Sequence, residues 1–235
     1  MLSGRSKSVT MPRLQRPAPL RESVYEALLE LIITRALQPG QHLVESELAA
    51  HLGISRQPVR EALQRLSTEG WVDLRPALGA FVHAPTEEEA DQLLVVRSLL
   101  ETESVRLAAA NATPESITRL RGLCEQGVQA LEADDVDGVV AANAALHTAV
   151  TELSGNKVLA ELAAQVDRRV RWYYTPIARQ RGHASWTEHA ALIDALADHD
   201  GERAAQVMRE HTEHTRRSYH QRLATESEER AGEVT

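Results

Sequence analysis

The alternation of apolar and polar residues indicates a chain built mostly of helices. Apolar residues recur at helical spacing through residues 20–36, and the turn QPGQ ends that helix. A second short helix is predicted over ESELAAHL, before Gly53, and a third over SRQPVREALQRL. After Gly70, the segment WVDLRPALGAFVHA alternates as strands do on both sides of PALG. These elements predict three helices followed by a small β-hairpin.

The remaining chain is predicted to be entirely helical. Thr86 and Glu89 have the spacing of a capping box, which predicts a long helix ending near Asn111. The segment SWTE, from Ser185 to Glu188, has the same spacing and predicts another helix start. Further helices are expected from Pro114, over residues 137–153 and 157–174, and over DGERAAQVMREHTEHTRRSYHQRL.

These patterns divide the chain into four parts. Residues 1–18, rich in Ser, Pro and Arg, are expected to form a flexible arm, and residues 225–235 a disordered tail. Residues 19–84 hold the three helices and the hairpin, and residues 85–224 form an all-helical domain of ordinary size. The predicted fold class is therefore mainly α, with a small N-terminal domain followed by a helical bundle.

Composition and charge narrow the classes of function. The chain of 235 residues has a formal net charge of −8, which argues at first against a nucleic-acid partner. However, residues 1–84 hold 10 Lys or Arg against 8 Asp or Glu, whereas residues 85–235 hold 16 against 26. A polyanion would therefore meet the first part more readily. A single cysteine, no signal-peptide pattern and no apolar run of about 20 residues lead us to expect a cytoplasmic protein without membrane contact.

The third predicted helix has one apolar face and one basic face. With Ser55 as the N-cap, Arg56, Gln57 and Arg60 lie on the side of the helix opposite Val59. Guanidinium and amide groups bond base edges or phosphates in the major groove of DNA. The alternative is an amphipathic surface helix whose basic face is merely solvated.

The neighbouring segments favour DNA binding over that alternative. Ala49 and Gly53 fall where a helix-turn-helix needs a small residue and a turn glycine. In the hairpin, Arg75 is placed to meet a phosphate, and Gly79 lets the tip approach a groove closely.

The segment LQPGQHLVESELAAHLGISRQPVREALQRLSTEGWVDLRPALGAFV resembles the winged helix-turn-helix domain of GntR-family transcriptional regulators, with PGQHL, SRQPVREAL and EGWV as its most specific parts. The resemblance implies that Ser55, Arg56, Gln57 and Arg60 contact operator DNA from the recognition helix, with Gly79 in the wing. Ser46 stands where some relatives carry a DNA-contacting arginine, so we expect one contact to be missing.

Histidines on apolar faces are the main chemical signal of the second part. Asn143 and His147 share a face of an almost wholly apolar helix, and His189 and His211 each share a face with apolar residues of later helices. Imidazole suits zinc, nickel or manganese, and an amide oxygen can complete such a ligand set. A single histidine on an apolar face is more often a hydrogen-bonded core residue, and spacing alone does not show that these helices converge.

Residues from Thr86 to about Leu223 resemble the FCD ligand-binding domain of FadR-type GntR regulators. The segments that carry the resemblance are NAALH, WTEHAALIDAL and VMREHTEHT. The resemblance implies a bundle of six or seven helices. It also implies a divalent metal, with zinc first and nickel or manganese as alternatives, bound by Asn143, His147, His189 and His211. Because Asn143 replaces the commoner aspartate, we expect weaker or less selective metal binding.

Arg97 shares a helical face with leucines and therefore needs an anionic partner. Two partners are open, namely Glu101 at i,i+4 or the carboxylate of a small effector. The motif RSLLE resembles the first-helix motif of the FCD domain, in which an arginine often holds the effector.

Together these features predict a ligand-responsive, homodimeric regulator, commonly a repressor, that binds double-stranded operator DNA, a divalent metal and a small carboxylate effector. The alternatives are a metal-dependent, hydrolase-like enzyme and a regulator whose metal is purely structural. Glu188, the acid beside His189, is expected to be occupied by its capping box, so the sequence offers no general base. We therefore expect no enzymatic activity.

Overall fold

The computed structural model describes the backbone of residues 19–233 and the side chains of residues 20–222 and 224. The predicted arm, residues 1–18, lies outside the described residues. Packing divides the described chain into two compact units, residues 19–29 with 42–81, and residues 30–41 with 82 onward. The boundary after residue 81 lies close to the one predicted after residue 84, and the second unit also includes the turn QPGQ.

Residues 19–82 contain three helices and a three-stranded sheet. The elements are α1 (Pro19–Ile33), β1 (His42–Leu43), α2 (Glu45–Leu52), α3 (Arg56–Thr68), β2 (Val72–Arg75) and β3 (Gly79–Val82). The strand order is β1-β3-β2, and β1 pairs antiparallel to β3 with His42 opposite Phe81. β2 and β3 form the predicted hairpin. β1 was not predicted, because two residues are too few to show an alternating pattern.

The turn between α2 and α3 has the geometry of a helix-turn-helix. Gly53 ends α2 in the left-handed conformation, with φ of 65°, which glycine adopts at little cost. Ala49 and Val59 are buried, so a small and an aliphatic side chain lie inside the motif. Ser55 is the N-cap of α3, as predicted, but its exposed hydroxyl makes no capping hydrogen bond.

The second unit is a bundle of helices. Its elements are α4 (Glu87–Asn111), α5 (Pro114–Glu132), α6 (Val136–Leu153), α7 (Lys157–Tyr174), a 3₁₀ turn (Thr175–Ile177), α8 (Ala178–Ala197) and α9 (Gly201–Glu233). The capping box at the start of α4 is confirmed: Thr86 accepts from the backbone of Glu89, whose carboxylate accepts from the Thr86 N–H at 2.7 Å. Pro176 lies in the 3₁₀ turn that follows α7, where its ring disfavours continuation of the α-helix.

The second predicted capping box is wrong. α8 begins at Ala178, and Ser185 lies inside it, fully buried. Gly182 has non-helical angles, φ 40° and ψ −134°, so two helical segments of α8 meet there, and the second starts before Ser185. Burial of Ala178 and Trp186 in the core outweighs a capping pattern worth about 1 kcal/mol at a helix end.

The C-terminal segment also differs from its prediction. α9 continues to Glu233, so most of the predicted disordered tail, residues 225–235, is helical. The segment ATESEERA is rich in Ala, Glu and Arg and contains neither proline nor glycine, so extending an existing helix through it costs little.

Two glycines of α5 differ sharply in their surroundings, which yields a stability prediction. A Cβ added at Gly127 would lie 2.0 Å from the buried indole ring of Trp186, whereas a Cβ at Gly122 would meet nothing within 4 Å. We expect Gly127→Ala to lower the free energy of unfolding by about 1–3 kcal/mol through overpacking. Gly122→Ala, the matched control, should raise it by about 0.5–1 kcal/mol through helix propensity. Urea denaturation measures both, and equal effects of the two substitutions would contradict this packing.

Candidate functional site

The first unit contains a groove of about 620 Å³ between α3, the start of α2 and the hairpin. Arg56, Arg60, Arg75 and Gly79 line it, so four of the six residues predicted to contact DNA surround one groove. Ser46, which stands where some relatives carry an arginine, lines the groove as well.

Glu45 also lines this groove and pairs with two of the predicted DNA-contacting arginines, which the sequence did not predict. Its carboxylate accepts from Arg60 Nε at 2.9 Å and Nη2 at 2.8 Å, and from Arg56 Nη2 at 3.2 Å. The hydrogen bonds from Arg60 lower the pKa of Glu45, so this carboxylate is charged at neutral pH. Nothing in the local sequence connects Glu45 with arginines that lie in the next helix.

The other predicted DNA-contacting residues have different surroundings. Gln57 donates to Glu61 Oε1 at 2.8 Å. The guanidinium of Arg75 lies 4.3 Å from the ring centroid of Phe81. Gly79 has φ of 98°, and a Cβ there would lie 3.0 Å from the His42 ring, so glycine is required at this point of the wing.

In the second unit, three buried histidines from three helices converge. His147 of α6, His189 of α8 and His211 of α9 place ring nitrogens within 4.8 Å of one another. The Nε2 atoms of His147 and His189 are 3.2 Å apart. Burial lowers the pKa of His211 to about 4 and lowers the pKa of His189 well below its usual value, so both rings are neutral at pH 7. Neutral imidazole is the form that binds metal ions.

Unsatisfied buried atoms surround this histidine cluster. Asn143 lies one turn before His147 on α6, and its side-chain oxygen is buried without a hydrogen-bond partner among the described residues. His211 Nε2 and His189 Nδ1 are likewise buried and unpaired there. Such atoms destabilise a fold unless something pairs with them, and a cation would accept their lone pairs. The residues present therefore fit a divalent metal.

Glu188 was assigned to the wrong role from sequence. It accepts from His211 Nδ1 at 2.8 Å and from His214 Nδ1 at 2.7 Å, and it pairs with the buried Arg181. Burial raises the pKa of Glu188, but the bonds from His211 and Arg181 outweigh it and lower the pKa to about 2. With its Nδ1 proton held by Glu188, His211 presents the lone pair of Nε2 to the other histidines.

Arg97 is buried in α4 and pairs with Glu101, one of the two partners that the sequence left open. Its Nε donates to Glu101 Oε1 at 3.0 Å, and its Nη2 lies 3.2 Å from His147 Nε2. Burial raises the pKa of Glu101, but the guanidinium of Arg97 beside it outweighs burial and lowers the pKa, so the carboxyl is ionised. Arg97 Nη1 and Glu101 Oε2 remain buried without partners in the described part of the chain.

A cavity of about 150 Å³ lies between α4, α6 and α7 beside this ion pair. Arg97, Glu101 and His147 line it, and three alanines of α7 form much of its opposite wall (Ala160, Ala163 and Ala164). Asp167 also lines it, and burial raises the pKa of this carboxyl. Sequence reasoning missed Asp167, because it adjoins a run of arginines that is typical of a solvated face.

Comparison with known proteins identifies the family of both units. Residues 92–214 match the FCD domain family, and residues 20–82 match the family described as bacterial regulatory proteins, gntR family. A Streptomyces ambofaciens protein, described as an uncharacterized HTH-type transcriptional regulator in an unstable DNA locus, is 30% identical over 194 residues and covers 81% of each chain. The chain belongs to the GntR family of transcriptional regulators that carry an FCD domain.

Solved GntR structures share its fold. Escherichia coli McbR/YncC is 26% identical with a TM-score of 0.76, covering 88% of this chain and 99% of that one. A putative GntR regulator from Rhodococcus sp. RHA1 is also 26% identical, with a TM-score of 0.74 over 85% and 96% of the two chains. The predicted mainly α fold, a winged helix-turn-helix followed by a helical bundle, is confirmed.

The matching families are regulators rather than enzymes. No helix among the described residues is long and apolar enough to cross a membrane.

Proposed function

We propose that the protein is a FadR-subfamily repressor that binds operator DNA through α3 and its wing and is controlled by a small organic acid beside a divalent metal. The observation that carries the ligand-binding part is the meeting of three buried imidazoles with a buried arginine, Arg97, that lines a cavity and whose Nη1 has no hydrogen-bond partner among the described residues. A regulator that binds operator DNA would act in the cytoplasm.

The DNA-binding part rests on the groove of the first unit. The proposed contacts are Ser55, Arg56, Gln57 and Arg60 of α3, with Arg75 and Gly79 in the wing. The Ser55 hydroxyl caps no helix N–H, and Arg56 and Arg60 expose 63% and 47% of their side chains, so these groups can meet base edges and phosphates.

The homodimer part rests on geometry and on exposed apolar surface. Two copies related by a two-fold axis suit a pair of inverted half-sites on DNA. On α4, Val95, Val96 and Leu99 expose 49%, 44% and 68% of their surface, which favours contact with another protein surface over solvent.

The metal part rests on Asn143, His147, His189 and His211, with zinc as the first choice and nickel or manganese as alternatives. Two of these histidines are neutral by burial, and the hydrogen bond from His211 to Glu188 orients that ring as second-layer carboxylates orient metal-binding histidines. A bound divalent cation would supply positive charge for an acidic effector.

The effector part rests on Arg97 and the size of the cavity. A cavity of about 150 Å³ accommodates a molecule the size of benzene, so the acid is small. Glu101 already neutralises much of the Arg97 charge, while Arg97 Nη1, which has no partner in the described part of the chain, is proposed to donate to the carboxylate of the acid. The acid would favour the bundle arrangement that binds it better and would change operator affinity only by that difference.

The hydrolase-like alternative is disfavoured by the site itself. Glu188 contacts His211 of the cluster and is the carboxylate that the sequence places beside His189 as a possible base on water. Its pKa of about 2 and its bonds to His211, His214 and Arg181 make it a poor proton acceptor. The effector experiment below distinguishes a ligand-responsive regulator from one whose metal is purely structural.

The DNA-binding part predicts a large effect of two substitutions. The double variant Arg56→Ala/Arg60→Ala should bind a duplex that the wild-type chain selects from a random pool about 100-fold more weakly, because two base- or phosphate-bonding guanidiniums are lost. Fluorescence anisotropy at moderate ionic strength measures this. Arg203→Ala/Arg209→Ala, the same charge change at exposed positions of α9, is the control. An equal loss of DNA affinity in both double variants would contradict the assignment of α3 as the recognition helix.

The metal part predicts that the neutral ligand limits affinity. Asn143→Asp should bind zinc about tenfold more tightly, because a carboxylate compensates the charge of the cation better than an amide oxygen does. Competition with a chromophoric chelator measures the affinity. Asn156→Asp, at the exposed N-cap of α7, makes the same chemical change outside the site. If neither variant nor the wild-type protein bound zinc, a zinc site at these residues would be ruled out.

The effector part predicts that the ion pair controls ligand response. Replacing both partners, Arg97→Met/Glu101→Gln, avoids leaving one buried charge unpaired, which costs about 3–5 kcal/mol. We expect this variant to keep its fold and zinc but to bind responsive acids at least about tenfold more weakly. A thermal-shift screen of small organic acids on the zinc-loaded proteins measures it. The exposed pair variant Arg121→Met/Asp194→Asn is the control. An unchanged response excludes Arg97 as the clamp, and no response in any protein favours a structural metal.

A further inference from the structure

We propose that Glu45 is a positioning residue that determines the DNA specificity of this protein by holding Arg60 through one edge of its guanidinium. This inference rests on the proposed DNA-binding role of α3. Neither the resemblance to GntR regulators nor the predicted contacts assign Glu45 a role.

The contact geometry leaves the base-reading edge of Arg60 available. A guanidinium has five N–H bonds, and the Glu45 carboxylate accepts from the side edge, Nε at 2.9 Å and Nη2 at 2.8 Å. The end edge, formed by Nη1 and the second hydrogen of Nη2, has no hydrogen-bond partner in the part of the chain that the structure describes. That end edge can bond the O6 and N7 atoms of guanine through two parallel hydrogen bonds.

The fold anchors Glu45 well for this task. Glu45 is the first residue of α2, and α2 packs on α3 through the helix-turn-helix. The N-terminus of a helix favours a negative charge, and the bonds from Arg60 lower the pKa of Glu45, so the carboxylate stays ionised. The Glu45 side chain is 26% exposed, so its carboxylate is within reach of the groove without being surrounded by water.

Orientation and charge have opposite effects on the two kinds of DNA binding. Non-specific binding depends on positive charge near phosphates, which Glu45 reduces by pairing with Arg60 and contacting Arg56 at 3.2 Å. Specific binding depends on the direction of the guanidinium, which Glu45 fixes before DNA arrives. The residue therefore lowers affinity for arbitrary DNA and favours the cognate sequence.

The decisive experiment compares Glu45→Gln with Glu47→Gln. Glu47 lies in the same helical turn, is exposed, and makes no ion pair among the described residues, so both variants lose one negative charge. The probes are a duplex that the wild-type chain enriches from a random pool and a shuffled duplex of the same composition. Affinity is measured by fluorescence anisotropy over a series of salt concentrations.

Glu45→Gln should lower the ratio of specific to non-specific affinity by about tenfold, and its salt dependence on shuffled DNA should steepen by about one released ion. Glu47→Gln should leave the ratio unchanged. In an Arg60→Lys background, which has no guanidinium edge to orient, Glu45→Gln should no longer change the ratio. Glu45→Asp keeps the charge but is too short to span both nitrogens, so it should lower the ratio without raising non-specific affinity.

Equal ratios for Glu45→Gln and Glu47→Gln would overturn the proposal. A lower melting temperature of Glu45→Gln with an unchanged ratio would assign Glu45 a structural role only and would overturn it as well. If the wild-type chain enriches no sequence, the DNA-binding function fails together with this inference, whereas an unaltered ratio in a sequence-selective protein overturns this inference alone.

Discussion

In three places a carboxylate holds a basic side chain by one edge and leaves its other edge available. Glu45 holds Arg60, Glu101 holds Arg97, and Glu188 holds His211. Both proposed binding functions depend on this arrangement. A long basic side chain without a partner samples many rotamers, and in the bundle interior its charge would also be costly. The carboxylate removes both difficulties while the available edge still meets a ligand.

The fold was largely predictable because its signals are local. The capping box at Thr86, the left-handed Gly53 and the proline after α7 each act within one helical turn, and the structure has all three. The prediction at Ser185 failed because the same local signal competed with burial of a whole helical face, and burial contributes more free energy. β1 escaped detection because its pairing partner lies about 40 residues away.

The sites were predictable only in part. Arg97 and the three histidines stand out because polar residues on apolar helical faces need an explanation. Their partners do not stand out, since Glu188 and Asp167 lie among other charged residues and acquire their roles only when the helices pack. The convergence of His147, His189 and His211 came from the family resemblance, because spacing within one helix carries no information about distances between helices. Glu45 was missed for the same reason.

The acidic second domain is compatible with DNA binding because charge acts over a limited range in salt. At physiological ionic strength the screening length is about 8 Å, so residues 85–235, with 26 acidic against 16 basic residues, repel DNA only where they approach it closely. The attraction must then come from short-range contacts in the groove. There Glu45 lowers even the local positive charge, which means that affinity depends on well-oriented hydrogen bonds more than on the number of arginines. A net charge of −8 is therefore no argument against a DNA-binding regulator and favours one that binds arbitrary DNA weakly.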